Sequence, residues 1–113
     1  MSRSLFDDDT PEPNPPKERT VPEIIKQRRA QMLVHSCIYY ELNDNIVDDH
    51  TWQRWADELE ALQKKHPEHL KIGFYDHNFA DWDGATGNHL PHRDPWVMRK
   101  AQYLLMLRDK KIV

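Results

Sequence analysis

The stretch TWQRWADELEALQKKHPE, residues 51–68, carries the clearest helical pattern in the chain. Its apolar side chains recur at intervals of three and four residues and share one helix face; they are Trp52, Trp55, Ala56, Leu59 and Leu62. The helix is expected to begin after Asp48 or Asp49, since both are good N-caps, and to stop at Pro67, which cannot continue a helical hydrogen-bond ladder. We predict an amphipathic helix over about residues 49–66.

A second helical segment precedes this one. Thr20 and Glu23 have the spacing of a capping box, and the proline between them lies in the first turn, where a missing N–H does no harm. The helix is expected to run to Asn43, with one face that carries Ile25, Met32, Tyr39 and Leu42. Residues 20–43 and 49–66 therefore predict a helical hairpin with a short loop.

The second half of the chain is less regular. Residues 68–92 contain all three glycines, and they alternate aromatic with polar residues. We predict an irregular or partly helical bridge that packs its aromatic side chains, Phe74, Phe79 and Trp82, onto the hairpin, with DGATG as a turn. Asp94 and Pro95 open a last helix to about Arg108. Its buried stripe is expected to contain Val97, Ala101, Leu104 and Leu105. The predicted fold class is mainly α.

Composition limits the possible functions. The chain has 113 residues, enough for one domain, and a net charge of −3, which argues against non-specific nucleic-acid binding. Residues 1–19 are rich in proline and acids and predict a disordered tail, which leaves residues 20–113 as a single small helical domain. Nothing resembles a membrane span or a signal peptide. The lone Cys37 fits a reducing cytoplasm and is expected to be a buried small apolar residue.

Two clusters of polar residues are candidate binding sites, one for phosphate and one for a metal ion. Lys26, Arg28 and Arg29 predict a solvated helix face, with a phosphate contact as the alternative. A zinc site could be supplied by His77, His89 and His92 of the second half together with Asp76 and Asp94, since imidazole and carboxylate groups both suit zinc. However, they have no cysteine partner and lie in an expected loop, so we predict no metal.

The hairpin sequence YYELNDNIVDDHTWQRWADELEALQKKHPE, residues 39–68, resembles the N-terminal segment of bacterial NAD-dependent DNA ligases. In these enzymes a helix ends in Tyr-His, a loop ends in Asp, and a second helix opens with Tyr-Asp and closes on His-Pro-Glu. The alignment needs no gap from Tyr39 to Glu68. The chain also resembles small phage-encoded, DNA-ligase-related proteins, whose second half has a block like DGATGNHLP (83–91) followed by a helix like PWVMRKAQYLL (95–105).

The resemblance implies a nucleotide site. In the ligases this segment grips the nicotinamide mononucleotide (NMN) half of NAD. The matching positions are Tyr39 and Asp49, which are kept, Trp52, which replaces the tyrosine that stacks on nicotinamide, and Tyr40 and Gln53, which replace a histidine and an aspartate. From the residues alone, Trp52 could equally be core, and Asp49 could serve as an N-cap.

Ligase activity itself is not expected, because the chain has no Lys-x-Asp-Gly motif and hence no lysine nucleophile for adenylation. The sequence therefore predicts a non-catalytic, cytoplasmic accessory protein, phage-encoded, that uses the hairpin as an NMN- or NAD-binding module. The alternative is a protein-interaction factor that modulates a host replication or defence enzyme and keeps the hairpin as scaffold. In the tail, Leu5 and Phe6 resemble the peptides that replication proteins insert into the bacterial sliding clamp.

Overall fold

The computed structural model describes residues 19–112. The described chain is mainly helical and contains no strand, which confirms the predicted fold class. Its elements are α1 (Val21–Tyr40), α2 (Asp49–Lys65), a short 3-10 helix (Pro67–His69), α3 (Asp76–Phe79) and α4 (Pro95–Ile112). α1 packs against both α2 and α4, so it is the central element. The expectations for Leu5, Phe6 and the rest of residues 1–18 lie outside the described residues.

The capping box at the start of α1 is present as predicted. Glu23 N–H donates to Thr20 Oγ1 at 3.4 Å, and Thr20 N–H donates to Glu23 Oε1 at 2.9 Å. The helix ends at Tyr40 rather than at Asn43. This end lies within one turn of the predicted one, and Asn43, which was expected to help end the helix, adopts a left-handed conformation (φ 53°) that asparagine tolerates and a helix does not.

Asp48, not Asp49, caps α2. Asp48 Oδ1 accepts the Thr51 N–H at 2.7 Å. Asp49 is the first helical residue, where its charge also suits the positive end of the helix dipole. The N-cap role considered for Asp49 is therefore wrong, and its carboxylate is available for other contacts. The helix ends at Lys65, just before Pro67, as expected.

The core lies between α1, α2, the bridge and α4. Its fully buried apolar residues include Ile25, Met32, Leu33, Ile38, Ala56, Leu59, Phe79, Val97 and Ala101. Trp82 is buried too, and its indole N–H donates to the Ala56 carbonyl at 3.0 Å. Phe74, Leu104 and Leu105 are partly buried against this core. Tyr39 departs from the predicted face, since it is 59% exposed near the end of α1.

Arg29 contradicts the prediction of a solvated basic face, because its side chain is fully buried. Its guanidinium donates to Gln63 Oε1 at 2.9 Å, to the Leu70 carbonyl at 2.9 Å, and to the Phe74 carbonyl and Asp76 Oδ1 at 2.8 Å each. The planar fork of arginine suits such multiple acceptors. This network ties α1 to α2 and to the irregular bridge.

Asp76 is the charged partner in that network. Partial burial opposes its ionisation, but the backbone N–H groups of Gly73, Ile72 and Phe74 together with Arg29 outweigh burial and lower the pKa of Asp76 to about 2. A tight turn at residues 72–76 makes these contacts, with Gly73 (φ 79°) and Tyr75 (φ 54°) in left-handed conformations. The bridge is therefore ordered by hydrogen bonds to an ion pair in which the arginine is fully buried and the carboxylate is partly exposed.

α4 begins as predicted and continues further than expected. Asp94 Oδ1 accepts the Trp96 N–H at 3.1 Å, and the helix runs to Ile112 instead of ending near Arg108. The difference has a simple reason, since the residues after Arg108 include no proline or glycine that would stop a helix. Arg108 itself donates to Asp44 Oδ2 at 3.0 Å and thereby anchors α4 to the α1–α2 loop.

Candidate functional site

A cavity of about 200 Å³ lies at the open end of the hairpin. It is bounded by the last turns of α1, the α1–α2 loop, the first turn of α2 and the DGATG segment, which we call the glycine loop (residues 83–87). All five positions singled out from the sequence line it: Tyr39, Tyr40, Asp49, Trp52 and Gln53. The structure thus brings together residues that are up to 14 positions apart in the sequence.

Tyr39 at the end of α1 and Trp52 at the start of α2 provide aromatic surface to the cavity. Tyr39 is 59% exposed, so most of its ring is free to contact another molecule. Trp52 is partly buried, and its ring meets that of Trp82 at a centroid distance of 6.3 Å and an angle of 62°. Trp52 therefore packs on the core with one part of its indole and borders the cavity with another.

Asp49 supplies the negative charge of the cavity. Its side chain is exposed, and it makes no hydrogen bond or ion pair with any other described residue. Because Asp48 caps the helix, Asp49 is left to bind a hydroxyl, an N–H group or a cation. The cavity lining contains no lysine or arginine among residues 19–112.

Tyr40 and Gln53, the two positions that differ most from the ligase pattern, hold the glycine loop. The Tyr40 hydroxyl lies 3.1 Å from Thr86 Oγ1, and the Gln53 amide donates to the Gly84 carbonyl at 2.9 Å. The Tyr40 ring also stacks on His92, with centroids 5.2 Å apart and planes at 12°. These side chains close the cavity with a loop from the second half of the same chain.

Steric constraints explain why both positions of the loop, 84 and 87, are glycine. Gly84 has a φ of 75°, which glycine adopts without strain. Gly87 packs so closely on α1 that a Cβ there would lie 2.1 Å from Ser36 Oγ and 3.4 Å from the Trp52 ring. A side chain at position 87 would therefore force Ser36 or the glycine loop to shift.

The floor of the cavity, which we define as His35 and Ser36, was not predicted from the sequence. His35 Nδ1 and Ser36 Oγ are buried and make no hydrogen bond within the described part of the chain. Burial lowers the pKa of His35 to about 4, so its imidazole is neutral at physiological pH. The ring packs against Trp55 at a centroid distance of 5.4 Å. Helical spacing could have found this floor, because His35 and Ser36 lie one turn before Tyr39 and Tyr40.

The histidines weighed as metal ligands are separated in the fold. His92 is buried, and its Nε2 lies 2.6 Å from the Gly87 carbonyl. His89 packs near Trp82, with ring centroids 6.0 Å apart, and His77 is exposed on α3. Across residues 19–112, no three His, Cys, Asp or Glu side chains are grouped so that they could hold a metal ion.

Cys37 is fully buried, as predicted. Burial, together with the nearby Glu41, raises the pKa of its thiol to about 11. Its Sγ lies 3.9 Å from the thioether sulfur of Met98, in the α1–α4 contact. Because nucleophilic attack requires the thiolate, Cys37 is a packing residue in this fold.

Comparison with known proteins adds no family to this description. No family model matches the chain, and no solved structure matches it significantly. The resemblance to the ligase hairpin therefore rests on the quoted residues and stays a prediction. As for membranes, none of the helices in the described range combines the length and apolar character needed to cross one.

Proposed function

We propose that this protein is a non-catalytic module that binds the nicotinamide ring of NMN or NAD in the cavity at the open end of the hairpin. The observation that carries the proposal is the convergence on one cavity of the five positions that match the ligase site, including the aromatic side chains of Tyr39 and Trp52. In this proposal Tyr39 and Trp52 stack on the ring, and Asp49 accepts a hydrogen bond from a ribose hydroxyl.

The size and charge of the cavity suit one part of the nucleotide. At about 200 Å³ it is smaller than a typical pocket for a drug-sized ligand, about 300–1,000 Å³, and it suits a single ring. The nicotinamide ring of NMN is a pyridinium cation, which is attracted by aromatic faces and by the Asp49 carboxylate. With no lysine or arginine among the described lining residues, the phosphate is expected to remain in solvent.

The side chains at the site support binding rather than catalysis. A nucleophilic mechanism needs an activated nucleophile within hydrogen-bond reach of a base. Ser36 Oγ and His35 Nδ1 are both unpartnered within the described chain, so they do not form such a pair. The Cys37 thiol is buried and protonated at neutral pH. These observations favour a module that holds a nucleotide without changing it.

Titration followed by NMR tests the proposal. NMN and NAD are added to labelled full-length protein, and the backbone amide and indole N–H signals are followed. We expect shifts at Tyr39, Asp49 and Trp52, and we expect Tyr39→Ala to weaken binding by about tenfold, which corresponds to the loss of one aromatic contact.

The matched control is Tyr103→Ala, which removes an exposed tyrosine of α4 that does not line the cavity. Tyr103→Ala should bind NMN like the wild type. Absence of shifts around the cavity at millimolar NMN and NAD would refute the nucleotide proposal.

Exposed apolar side chains favour the second candidate, a protein-interaction factor. Tyr103 and Met106 of α4 are 44% and 51% exposed, and Met106 lies beside a shallow groove that also contains Leu42 and Leu105. Met106→Asp should abolish capture of a partner from bacterial lysate and leave NMN binding unchanged. A partner captured equally well by Met106→Asp would argue against this surface. We also propose that the protein is phage-encoded and cytoplasmic, and that Leu5 and Phe6 contact the bacterial sliding clamp.

A further inference from the structure

The floor of the cavity holds two polar atoms that lack a partner. Ser36 Oγ and His35 Nδ1 are buried, and neither makes a hydrogen bond with the described residues. Ser36 as a whole is only 1% exposed. Buried polar groups in native proteins are almost always paired, so these two neighbouring atoms of the cavity lining are available to hydrogen-bond with a bound molecule.

Charge limits which ligand group these atoms could accept. Asp49 carries a negative charge at the cavity, and no described lining residue carries a positive one. His35 does not supply one at neutral pH, because burial keeps its imidazole neutral. A buried anion at the floor would have no counter-charge among the described lining residues and would share a small cavity with the Asp49 carboxylate, which is unfavourable. The complementary group is therefore polar and uncharged.

We propose that Ser36 and His35 are the specificity-determining residues of the cavity and that they recognise an uncharged carboxamide attached to the bound ring. This inference rests on the proposed function, of which it specifies the ligand class. The Ser36 hydroxyl donates to the amide oxygen, and His35 Nδ1 accepts one amide N–H in the tautomer that is protonated on Nε2. A ring that bears a carboxylate has no N–H to donate and adds a second negative charge beside Asp49.

The glycine loop controls access to this floor. Ser36 Oγ lies directly behind Gly87, so a ligand reaches it only after the loop moves outward. The loop is held by the hydrogen bonds from Tyr40 to Thr86 and from Gln53 to Gly84. Ligand binding therefore breaks the hydrogen bonds that hold the glycine loop and forms hydrogen bonds between the floor residues and the ligand amide.

A matched pair of nucleotides tests the inference. NMN and nicotinic acid mononucleotide differ only in the amide or carboxylate on the ring. We expect calorimetric titration of the full-length protein to show NMN binding at least tenfold more tightly. Ser36→Ala should raise the Kd for NMN by about 5–20-fold and reduce the preference for NMN, because one hydrogen bond to the ligand is lost.

A stability measurement separates recognition from structure. Because Ser36 Oγ has no partner among residues 19–112, Ser36→Ala should unfold at the same temperature as the wild type or at a higher one. His35→Gln should also weaken NMN binding, whereas His77→Gln, which changes an exposed histidine, should not.

The outcomes distinguish the two proposals. If the wild type binds neither nucleotide, the proposed function itself fails. If it binds both equally, or if Ser36→Ala leaves the preference for NMN intact, the inference about the floor is overturned while the nucleotide module stands. Weaker NMN binding together with a lower unfolding temperature in Ser36→Ala would assign Ser36 a structural role, which would also overturn the inference.

Discussion

Replacing Arg29 with methionine should cost this protein a large part of its stability. Methionine roughly preserves the length of the side chain and its apolar contacts but removes all four donated hydrogen bonds. The acceptors left behind are Gln63, Asp76 and two backbone carbonyls, of which the Gln63 side chain is itself almost fully buried. A buried acceptor that loses its donor keeps its desolvation penalty without a compensating hydrogen bond, which destabilises the fold.

The expected magnitude follows from that network. Breaking a buried ion pair by removing one partner costs about 3–5 kcal/mol. Asp76 is 31% exposed and recovers some solvation, whereas the other acceptors do not fully do so, so we expect a loss of about 4 kcal/mol. A domain of this size has a total stability of about 5–15 kcal/mol. The midpoint of thermal unfolding should therefore fall by about 15–30 °C.

Arg28 offers a matched control on the same helix turn. Its side chain is 21% exposed and pairs with Glu58, which is 43% exposed, at 2.8 Å. Pairs of this kind contribute about 0–1 kcal/mol. Arg28 also donates to Oε1 of the buried Gln31 at 2.8 Å, a bond that contributes about 1 kcal/mol. Arg28→Met should therefore lose about 1–2 kcal/mol, less than half of the loss expected for Arg29→Met. Urea unfolding followed by tryptophan fluorescence measures both variants. Equal losses of unfolding free energy in Arg28→Met and Arg29→Met would refute the conclusion that the Arg29 network orders the bridge.

Three further predictions concern caps and pH. Asp48→Ala should lose about 1 kcal/mol in urea unfolding, whereas Asp49→Ala should lose much less, because only Asp48 accepts an N–H of α2; equal losses would contradict the observed cap. Burial lowers the pKa of His35 to about 4 in the folded protein, whereas the unfolded chain keeps the ordinary value of 6.5. The free energy of unfolding should therefore decrease by about 3 kcal/mol as pH falls from 6.5 to 4. His35→Gln should flatten this part of a pH series of unfolding curves, and an unchanged slope would contradict the assigned burial. The pKa of Asp76 is lowered to about 2 in the folded protein, so its carboxylate stabilises the fold fully above the ordinary value of 3.8 and loses that contribution as pH falls towards 2. The free energies of unfolding of Asp76→Asn and the wild type should therefore differ less at pH 2 than at pH 6.

Local chemistry made the helices predictable. The Thr20–Glu23 capping box, the stop at Pro67 and the Asp94–Pro95 start are all encoded within a few residues, and the structure contains each of them. The apolar spacing of α2 also predicted correctly that Ala56 and Leu59 are buried. These features depend on backbone hydrogen bonds and side-chain period, which do not require knowledge of distant contacts.

The candidate site could be predicted only in part. The five hairpin positions were found from a sequence resemblance, and the structure places them around one cavity. The glycine loop was expected as a turn, but its position over Ser36 depends on the packing of Gly87 against α1. Helical spacing places His35 and Ser36 one turn before Tyr39 and Tyr40, but only the packing of the glycine loop on α1 shows that this turn borders a cavity.

The sequence by itself determined the helical class, the hairpin and the helix caps, because these follow from interactions within one or two turns. Only the tertiary structure decided that Arg29 is buried and that Tyr39 is exposed. Helical periodicity places residues on faces, but which face is covered depends on elements that pack from elsewhere in the chain. Here the bridge covers Arg29 with three acceptors, and the glycine loop closes over Ser36 while Tyr39 stays open to solvent.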